Sequence, residues 1–557
     1  MKHYLTQISD SIKKHWDNPA LSNFGAETYT YGQLAEGIEK YHILFKECGI
    51  KKGDNVALYA RNSAEWGIAY LAIVTYNATV VPFLPDFLAS AVVELGTFSE
   101  CKMLIVDTPA FNALQNGDAL LDKLKASSGF TAVVNVKDYS ILDAVDESMA
   151  NANEKMQSQY NSQYANGLKA DMIDYSNDDQ ESIAVISFTS GTTSAVSKGV
   201  VLPSRSLSAN VDFAIREIPA CSGDTIFSVL PMAHMFGQTF DFLFPLSSGC
   251  HVTILNGKPT PVRLLAGLAA VKPFMFLTVP MVIEKIFKSK VIPTLRKPVM
   301  RVLMAIPGIN TLLLSTIRKK LVAALGGGLT TGVIIGGAAL NKEIEDIMKK
   351  MKFPYTVGYG MTEVGPLISY CDRSKYAKYS CGLPATPLEV RIDSSNPRRV
   401  LGEIQCKGDA VMLGYYKNEE ATKATFTKDG WLRTGDMGIM DSKGNIYIKG
   451  RCKNMILTGS GQNIYPEEIE DKVNNLPYVV ESLVVGRKNA IVALVVADYE
   501  GASKDGISEE ELNKMIDANV KGLNIELPNY SQIALTELRH EPFEKTPKQS
   551  IRRFMYS

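Results

Sequence analysis

Between residues 29 and 85 the hydrophobic period of the chain keeps switching, and this alternation restricts the fold more than any other feature. LAEGIEKYHILF has helical spacing, DNVALYA is a short apolar run, AEWGIAYLAIVTYNA is helical again, and TVVPFLP reads as a buried strand. Strands that alternate with helices argue for a parallel sheet covered by helices on both faces. The rhythm recurs at CKMLIVD and HVTIL. The expected class is α/β, with a large N-terminal domain of parallel sheets flanked by helices.

Two stretches depart from that rhythm. Residues 138–181 are polar and rich in Asn, Gln and Ser, which predicts a partly helical surface excursion. From Leu388 the texture turns to short strands with Gly-rich turns (LEVRI, GEIQCKG, DSKGNIYIKG), as in a β-rich subdomain that closes the large one. The last hundred or so residues carry their own alternation (PEEIEDKVNNL, VVESLVVG, NAIVALVVAD, EEELNKMIDANVKGLN), as a small α+β domain would. The chain of 557 residues is too long for one core. We divide it into residues 1–450 and 451–557.

Composition excludes several classes. Lysine plus arginine (59) equals aspartate plus glutamate (59), so there is no overall pull toward nucleic acid, and no nucleic-acid partner is expected. The eight cysteines are scattered, with no C-x-x-C pair, which predicts neither a disulfide framework nor a zinc site and suits a reducing, cytoplasmic compartment. MKHYLTQISDSIKKHW lacks the apolar core of a signal peptide, and the longest uncharged apolar stretch is interrupted by Pro307-Gly308. Nothing in the sequence speaks to oligomeric state.

The strongest chemical signal is ISFTSGTTSAVSKGVVL, residues 186–202. An apolar run ends in Thr189, Ser190, Gly191, Thr192 and Thr193, and Lys198 follows. Glycine lets backbone N–H groups turn toward an anion, hydroxyls add donors, and the lysine adds charge. These are the parts of a phosphate cradle, although the spacing is not that of a Walker A loop; a plain Ser/Thr-rich loop is the alternative. In GYGMTEVGP, Gly358 and Gly360 flank Tyr359, with Thr362 and Glu363 after them. A carboxylate at a strand end near such a cradle suits Mg²⁺, against the plainer reading of a solvated glutamate. Asp436 in GWLRTGDMG can accept two hydroxyl protons, as a ribose requires, and Arg451 can support it.

TSGTTSAVSKG, YGMTE, WLRTGD, GRCKNMI and the terminal KTPKQSIRR follow one another in an order and at separations that resemble the adenylate-forming superfamily. That superfamily includes acyl-CoA synthetases, adenylation domains and luciferases. Within it, GIKKGDNVALYARNSAEWGIAYLA and VPMVIEKIF make the chain look most like a bacterial long-chain fatty acid–CoA ligase. The resemblance implies ATP, Mg²⁺ and coenzyme A as cofactor and co-substrates, and a fatty acid as partner. It implies that Thr189 to Thr193 and Lys198 wrap the β- and γ-phosphates, with Thr189 and Glu363 near the metal and Lys198, Thr362, Glu363 and Lys548 as catalytic groups. Gly336, Gly337 and Ala338 would line the adenine site and Tyr359 would stack on the base. Asp436 and Arg451 would take the ribose, Lys453 would be a hinge for a mobile C-terminal domain, and Gly461 would line the pantetheine tunnel. His234 matches a position beside the carboxylate pocket, with a satisfied core histidine as the equal alternative. Met232, Met235, Phe236 and Phe240 are candidate lining of an acyl tunnel, or ordinary core.

One departure stands out. Relatives carry a lysine just before the I-x-R ending, and KTPKQSIRR has Ser550 there. Lys548 and Lys545 lie two and five residues earlier. Three readings follow: a fatty acid ligase, a ligase for aryl or other acids or for carrier-protein loading, and a lipid or nucleotide binder that has lost activity. Residues 281–320 also set nine basic side chains, among them Arg318, Lys319 and Lys320, against one acid, Glu284. Such a block suits peripheral contact with anionic lipid at the inner face of the membrane, or a solvated helical face.

Overall fold

Helix Tyr31–Glu47 starts where a capping box forces it to: Thr30 accepts from the Gln33 backbone while the Gln33 side chain accepts from the Thr30 N–H. Its apolar stripe buries Leu34, Ile38, Tyr41 and Phe45. The next helix, Ala64–Thr75, is capped by Ser63, and every residue from Ala64 to Val74 is buried. A helix apolar all round belongs inside a large protein. Phe242 packs on it, since a Cβ at Gly67 would lie 2.8 Å from the Phe242 ring.

These observations come from a computed structural model that describes residues 1–117, 119–189, 198–257, 259–457, 463–487, 490–545 and 551–556. The largest sheet has eight strands, in the order Gly414–Tyr415, Lys198–Pro203, Ile183–Thr189, Thr79–Pro82, Asn55–Tyr59, Met103–Val106, Ala132–Asn135 and Ile141–Ala144. Its five central strands are parallel, as the alternation predicts. Antiparallel strands border this parallel centre on both sides. For Ile183–Thr189 with Lys198–Pro203 and for Ala132–Asn135 with Ile141–Ala144 the reason is local, because strands joined by a short return pair antiparallel, whereas a parallel neighbour needs a long crossover.

A second sheet joins Thr225–Ser228, His251–Ile254, Pro19–Asn23 and Thr28–Thr30. A third, all parallel, holds Met275–Thr278, Gly332–Ile335 and Tyr355–Val357. The β-rich subdomain is antiparallel: Glu389–Asp393, Gly402–Lys407, Leu432–Met440 and Ile446–Arg451. The C-terminal part has its own core, with Ile469, Val473, Val495, Leu512 and Ile516 under the sheet of Val479–Arg487, Ala490–Ala497 and Ile533–Arg539.

The polar stretch 138–181 is less superficial than its composition suggests. Helix Ala152–Gln163 buries Ala152, Met156 and Tyr160 at four-residue spacing, and Leu168, Ile173 and Tyr175 are buried after it. Tyr164 and Tyr175 both donate to Glu39 of the helix Tyr31–Glu47, at 2.9 and 2.8 Å. A few well-spaced apolar residues anchor this strap although polar residues outnumber them.

The C-terminal part meets the rest through complementary groups. Asn341 Nδ2 donates to Asn475 Oδ1 at 2.6 Å, Lys342 lies 3.8 Å from Asp471, and Lys288 Nζ donates to the Asn474 carbonyl at 3.2 Å. Lys449 pairs with Glu468 at 3.1 Å. Glu467 and Glu468 stand in the first turn of helix Pro466–Val473, where the helix dipole favours acids.

Between strands Met275–Thr278 and Gly332–Ile335 the chain makes a long helical crossover. Helix Pro298–Met304 within it has no buried residue and helix Ile309–Ala324 only Leu314. The two are bent by 120° at the break between them, where Gly308 has φ +84°. No single helix among the described residues is long and apolar enough to cross a membrane.

Candidate functional site

Thr189 ends one strand and Lys198 begins its antiparallel neighbour, directly across from it. Ser190, Gly191, Thr192 and Thr193 lie outside the described residues, and of Thr189 only the backbone is described. The Lys198 ammonium sits 4.6 Å from the centroid of the Tyr415 ring, a cation–π distance. Tyr415 lies on the short strand that borders Lys198–Pro203, opposite Val200. Its hydroxyl donates to Glu363 Oε1 at 3.0 Å. Three segments far apart in sequence thus meet at one ring. Sequence reasoning missed Tyr415; the signal was an aromatic beside Gly414 at the end of the run VMLGY.

Strand Tyr355–Val357 delivers Gly358, Tyr359 and Gly360, and Tyr359–Gly360 pairs back on Leu367–Tyr370. Gly360 is required here, because a Cβ would stand 2.0 Å from the Pro366 carbonyl oxygen. Thr362 and Glu363 follow in one tight turn, with Thr362 buried. The Tyr359 hydroxyl donates to Asp436 Oδ2 at 2.7 Å, and Arg451 Nε lies 3.0 Å from Asp436 Oδ1. Asp436 and Arg451 face each other across the strand pair Leu432–Met440 and Ile446–Arg451. Burial pushes the Asp436 carboxyl above the usual range and Arg451 partly offsets it, while Asp436 raises the guanidinium. The Tyr359 phenol is pushed well up by burial. Both carboxylate oxygens are engaged, one by each partner. The structure therefore ties Tyr359 to Asp436, a link the sequence reading lacked.

Gly336, Gly337 and Ala338 leave the top of strand Gly332–Ile335, and Gly337 has φ +89°. A Cβ on Gly336 would lie 3.1 Å from Phe236 Cζ, so the glycine segment and the candidate acyl residue are immediate neighbours. His234 Nδ1 accepts from the Phe236 N–H at 3.3 Å and caps the helix that carries Phe236. Phe236 and His234 are part-exposed, whereas Met232, Met235 and Phe240 are buried in the cores. For those three, ordinary core is what the structure shows.

The same helix hides a polar surprise. Gln238, Thr239 and Asp241 are fully buried in its π-helical segment Gln238–Leu243. Ser228 Oγ donates to Asp241 Oδ2 at 3.3 Å, and burial pushes the Asp241 carboxyl up to about 8. Three polar residues within an apolar helix (GQTFDFLF) were the available signal.

Lys453 is exposed in the turn Cys452–Asn454, immediately after Arg451. Asn454 Nδ2 donates to Glu467 at 2.6 Å on the far side of that turn. Gly461, Lys548 and Ser550 lie outside the described residues. Lys545 is paired with Glu481 at 2.7 Å.

Among the described residues no cluster of three or more His, Cys, Asp or Glu could hold a metal alone. Glu363 is a single carboxylate, with Oε1 taken by Tyr415. Mg²⁺ that travels with nucleotide phosphates needs only one or two carboxylates, so the residues present fit an ion shared with a nucleotide.

The family model described as AMP-binding enzyme matches residues 8–416, and that described as AMP-binding enzyme C-terminal domain matches residues 453–556. The chain is 28% identical to a long-chain-fatty-acid–CoA ligase of Escherichia coli O6:H1, over 96% of this chain and 94% of the relative. It is 26% identical to a 4-coumarate–CoA ligase of Vanilla planifolia, over 92% of this chain and 86% of that one. The crystal structure of ATP-bound MatB from Rhodopseudomonas palustris superposes with a TM-score of 0.76 at 22% identity, covering 100% of this chain and 98% of that one.

Proposed function

This chain belongs to the AMP-binding enzyme family, and from that premise we propose that it joins a long-chain fatty acid to coenzyme A through an acyl adenylate, releasing AMP and pyrophosphate. The observation that carries the reading is the convergence of Lys198 and Glu363 on Tyr415, beside the hairpin opened by Thr189. A cation and a carboxylate held by one aromatic ring suit a triphosphate and its metal ion. The likeness to the Escherichia coli ligase supports a fatty acid. The match to the Vanilla planifolia ligase favours an aromatic acid as the second reading.

A carboxylate does not acylate a thiol at neutral pH, because its leaving group is too poor. In the first half-reaction the acid oxygen attacks the α-phosphorus of ATP and the bond to pyrophosphate breaks. Lys198 offsets charge building on the departing pyrophosphate, which is electrostatic catalysis by a fixed group. Asp436, held between Tyr359 and Arg451, takes the ribose hydroxyls and fixes the α-phosphorus in line with the acid. Glu363 and Thr189 would hold Mg²⁺, which neutralises phosphate charge when bound. In the second half-reaction the coenzyme A sulfur attacks the acyl carbon, the bond from that carbon to the AMP phosphate oxygen breaks, AMP leaves with the bonding electrons, and the thiol proton passes to solvent. Residues 1–450 form the adenylating part in this reading. Residues 451–557 turn about Lys453 between half-reactions.

ATP–pyrophosphate exchange across a series of acids tests the proposal. Exchange that rises with chain length toward palmitate is expected. Exchange driven only by coumarate or benzoate moves the chain to aryl acids. No exchange with any acid leaves a nucleotide or lipid binder, the reading that Ser550 raises.

A further inference from the structure

The crossover between strands Met275–Thr278 and Gly332–Ile335 carries a surface that the catalytic reading does not use. Residues 298–313 contain one charge, Arg301. Val299, Val302 and Leu312 are 72%, 66% and 70% exposed, and Ile306 and Ile309 are exposed beside them. A soluble surface rarely leaves so many large apolar side chains uncovered in one patch. Basic residues rim the elbow: Lys297 and Arg301 on one arm, Lys319 and Lys320 at the far end of the other, all exposed. Among the described residues the side chains of these four make no hydrogen bond or ion pair; the only bond between them is backbone, from the Arg301 N–H to the Lys297 carbonyl. The crossover leaves the site at Thr278, and Val279 Cγ1 lies 3.7 Å from where a Cβ on Gly337 would be.

We propose that helices Pro298–Met304 and Ile309–Ala324 form a peripheral docking element, which seats its apolar elbow among the headgroups of an anionic bilayer. Charge selects this occupant. A second copy would bring the same cationic rim against itself, whereas an anionic leaflet complements the rim and accepts the apolar tip. The role follows from the preceding reading: a long-chain acid resides in the bilayer, and the crossover that docks there borders the acyl pocket.

Vesicle cosedimentation without ATP or coenzyme A tests the docking alone. The full chain is expected to bind vesicles containing phosphatidylglycerol about tenfold or more above pure phosphatidylcholine, with the excess falling as salt rises. Each basic residue near an anionic surface contributes about fivefold. Lys297→Gln/Arg301→Gln/Lys319→Gln/Lys320→Gln should therefore weaken binding by up to several hundredfold, and Val302→Glu/Leu312→Glu should abolish it. Both variants should keep wild-type exchange activity on a short, water-soluble acid, which shows that they fold. Wild-type protein that ignores both vesicles, or variants that bind as wild type, would overturn the proposal. So would a dimer lost in Val302→Glu/Leu312→Glu without any vesicle binding. Inactivity on every acid, with lipid binding intact, would remove the ligase reading and leave the docking.

Discussion

Tyr415 donates its hydroxyl proton to Glu363 across 3.0 Å while its ring face carries Lys198 at 4.6 Å. The side chain thus touches a cation and an anion drawn from two other segments of the chain.

Tyr415→Phe keeps the ring and deletes the donor. A hydrogen bond to a charged group contributes about 1.5–3 kcal/mol, so ATP–pyrophosphate exchange should slow about tenfold to a hundredfold. Tyr415→Ala, which also frees Lys198 from the ring, should be slower still. Equal rates for Tyr415→Phe and wild type would show that Glu363 needs no positioning.

Asp436 must be ionised to accept ribose hydroxyl protons, and burial raises its pKa against the pull of Arg451. ATP affinity should therefore fall as pH drops through the raised value. In Arg451→Gln the fall should begin at higher pH, because the lowering influence has gone. KM for ATP measured from about pH 5 to about pH 9 reads this directly; superimposable profiles would contradict it.

Burial pushes the Asp241 carboxyl up to about 8 in the folded chain. Unfolded, it ionises at about 4. Between these values the folded state holds the extra proton, so stability is lost as pH rises through the window. Asp241→Asn should raise the urea midpoint at pH values inside the window, and the gain should vanish below about pH 4.

A Cβ on Gly336 would stand 3.1 Å from the Phe236 ring, close enough that the ring must give way slightly. Gly336→Ala should tilt that ring toward the acyl pocket and shorten the usable depth. Each excluded methylene forfeits about 0.8 kcal/mol, so loss of room for one should lower the kcat/KM ratio of palmitate to octanoate about fourfold. An unchanged ratio would remove Phe236 from the pocket wall.

Asn475→Ala deletes the Asn341–Asn475 contact but spares Asn341 Oδ1, which caps helix Lys342–Lys350. Domain docking should loosen, and trypsin should cut at Lys449, Arg451 or Lys453 about two- to tenfold faster, matching one net hydrogen bond. The far-UV spectrum should not change.

The periodic segments were readable because each obeys one local rule. Helix Tyr31–Glu47, strand Asn55–Tyr59 and helix Ala64–Thr75 each form where period and caps agree. The antiparallel margins were not readable, since neighbour choice depends on how the chain returns. Site residues within dense motifs, such as Asp436 and Glu363, stood out by composition. Tyr415 did not, because its role comes from a tertiary meeting with residues 52 and more positions away. Asp241 was visible as a lone acid among aromatics, but its burial depends on how strand Thr225–Ser228 packs on that helix. The strap 138–181 was legible as a partly helical surface excursion, but its three anchors at four-residue spacing were hidden among the polar majority.

The long helical crossover departs from Thr278 and rejoins at Gly332, on two strands locked in register with each other. Its anchors are thus fixed by the sheet and not by the excursion. Closing a longer or shorter loop over the same gap changes the free energy slowly. The exposed helices Pro298–Met304 and Ile309–Ala324, unlike the buried start of the crossover, are consequently a graftable cassette: exchanging them alone should alter the proposed docking while the register of the two strands is preserved.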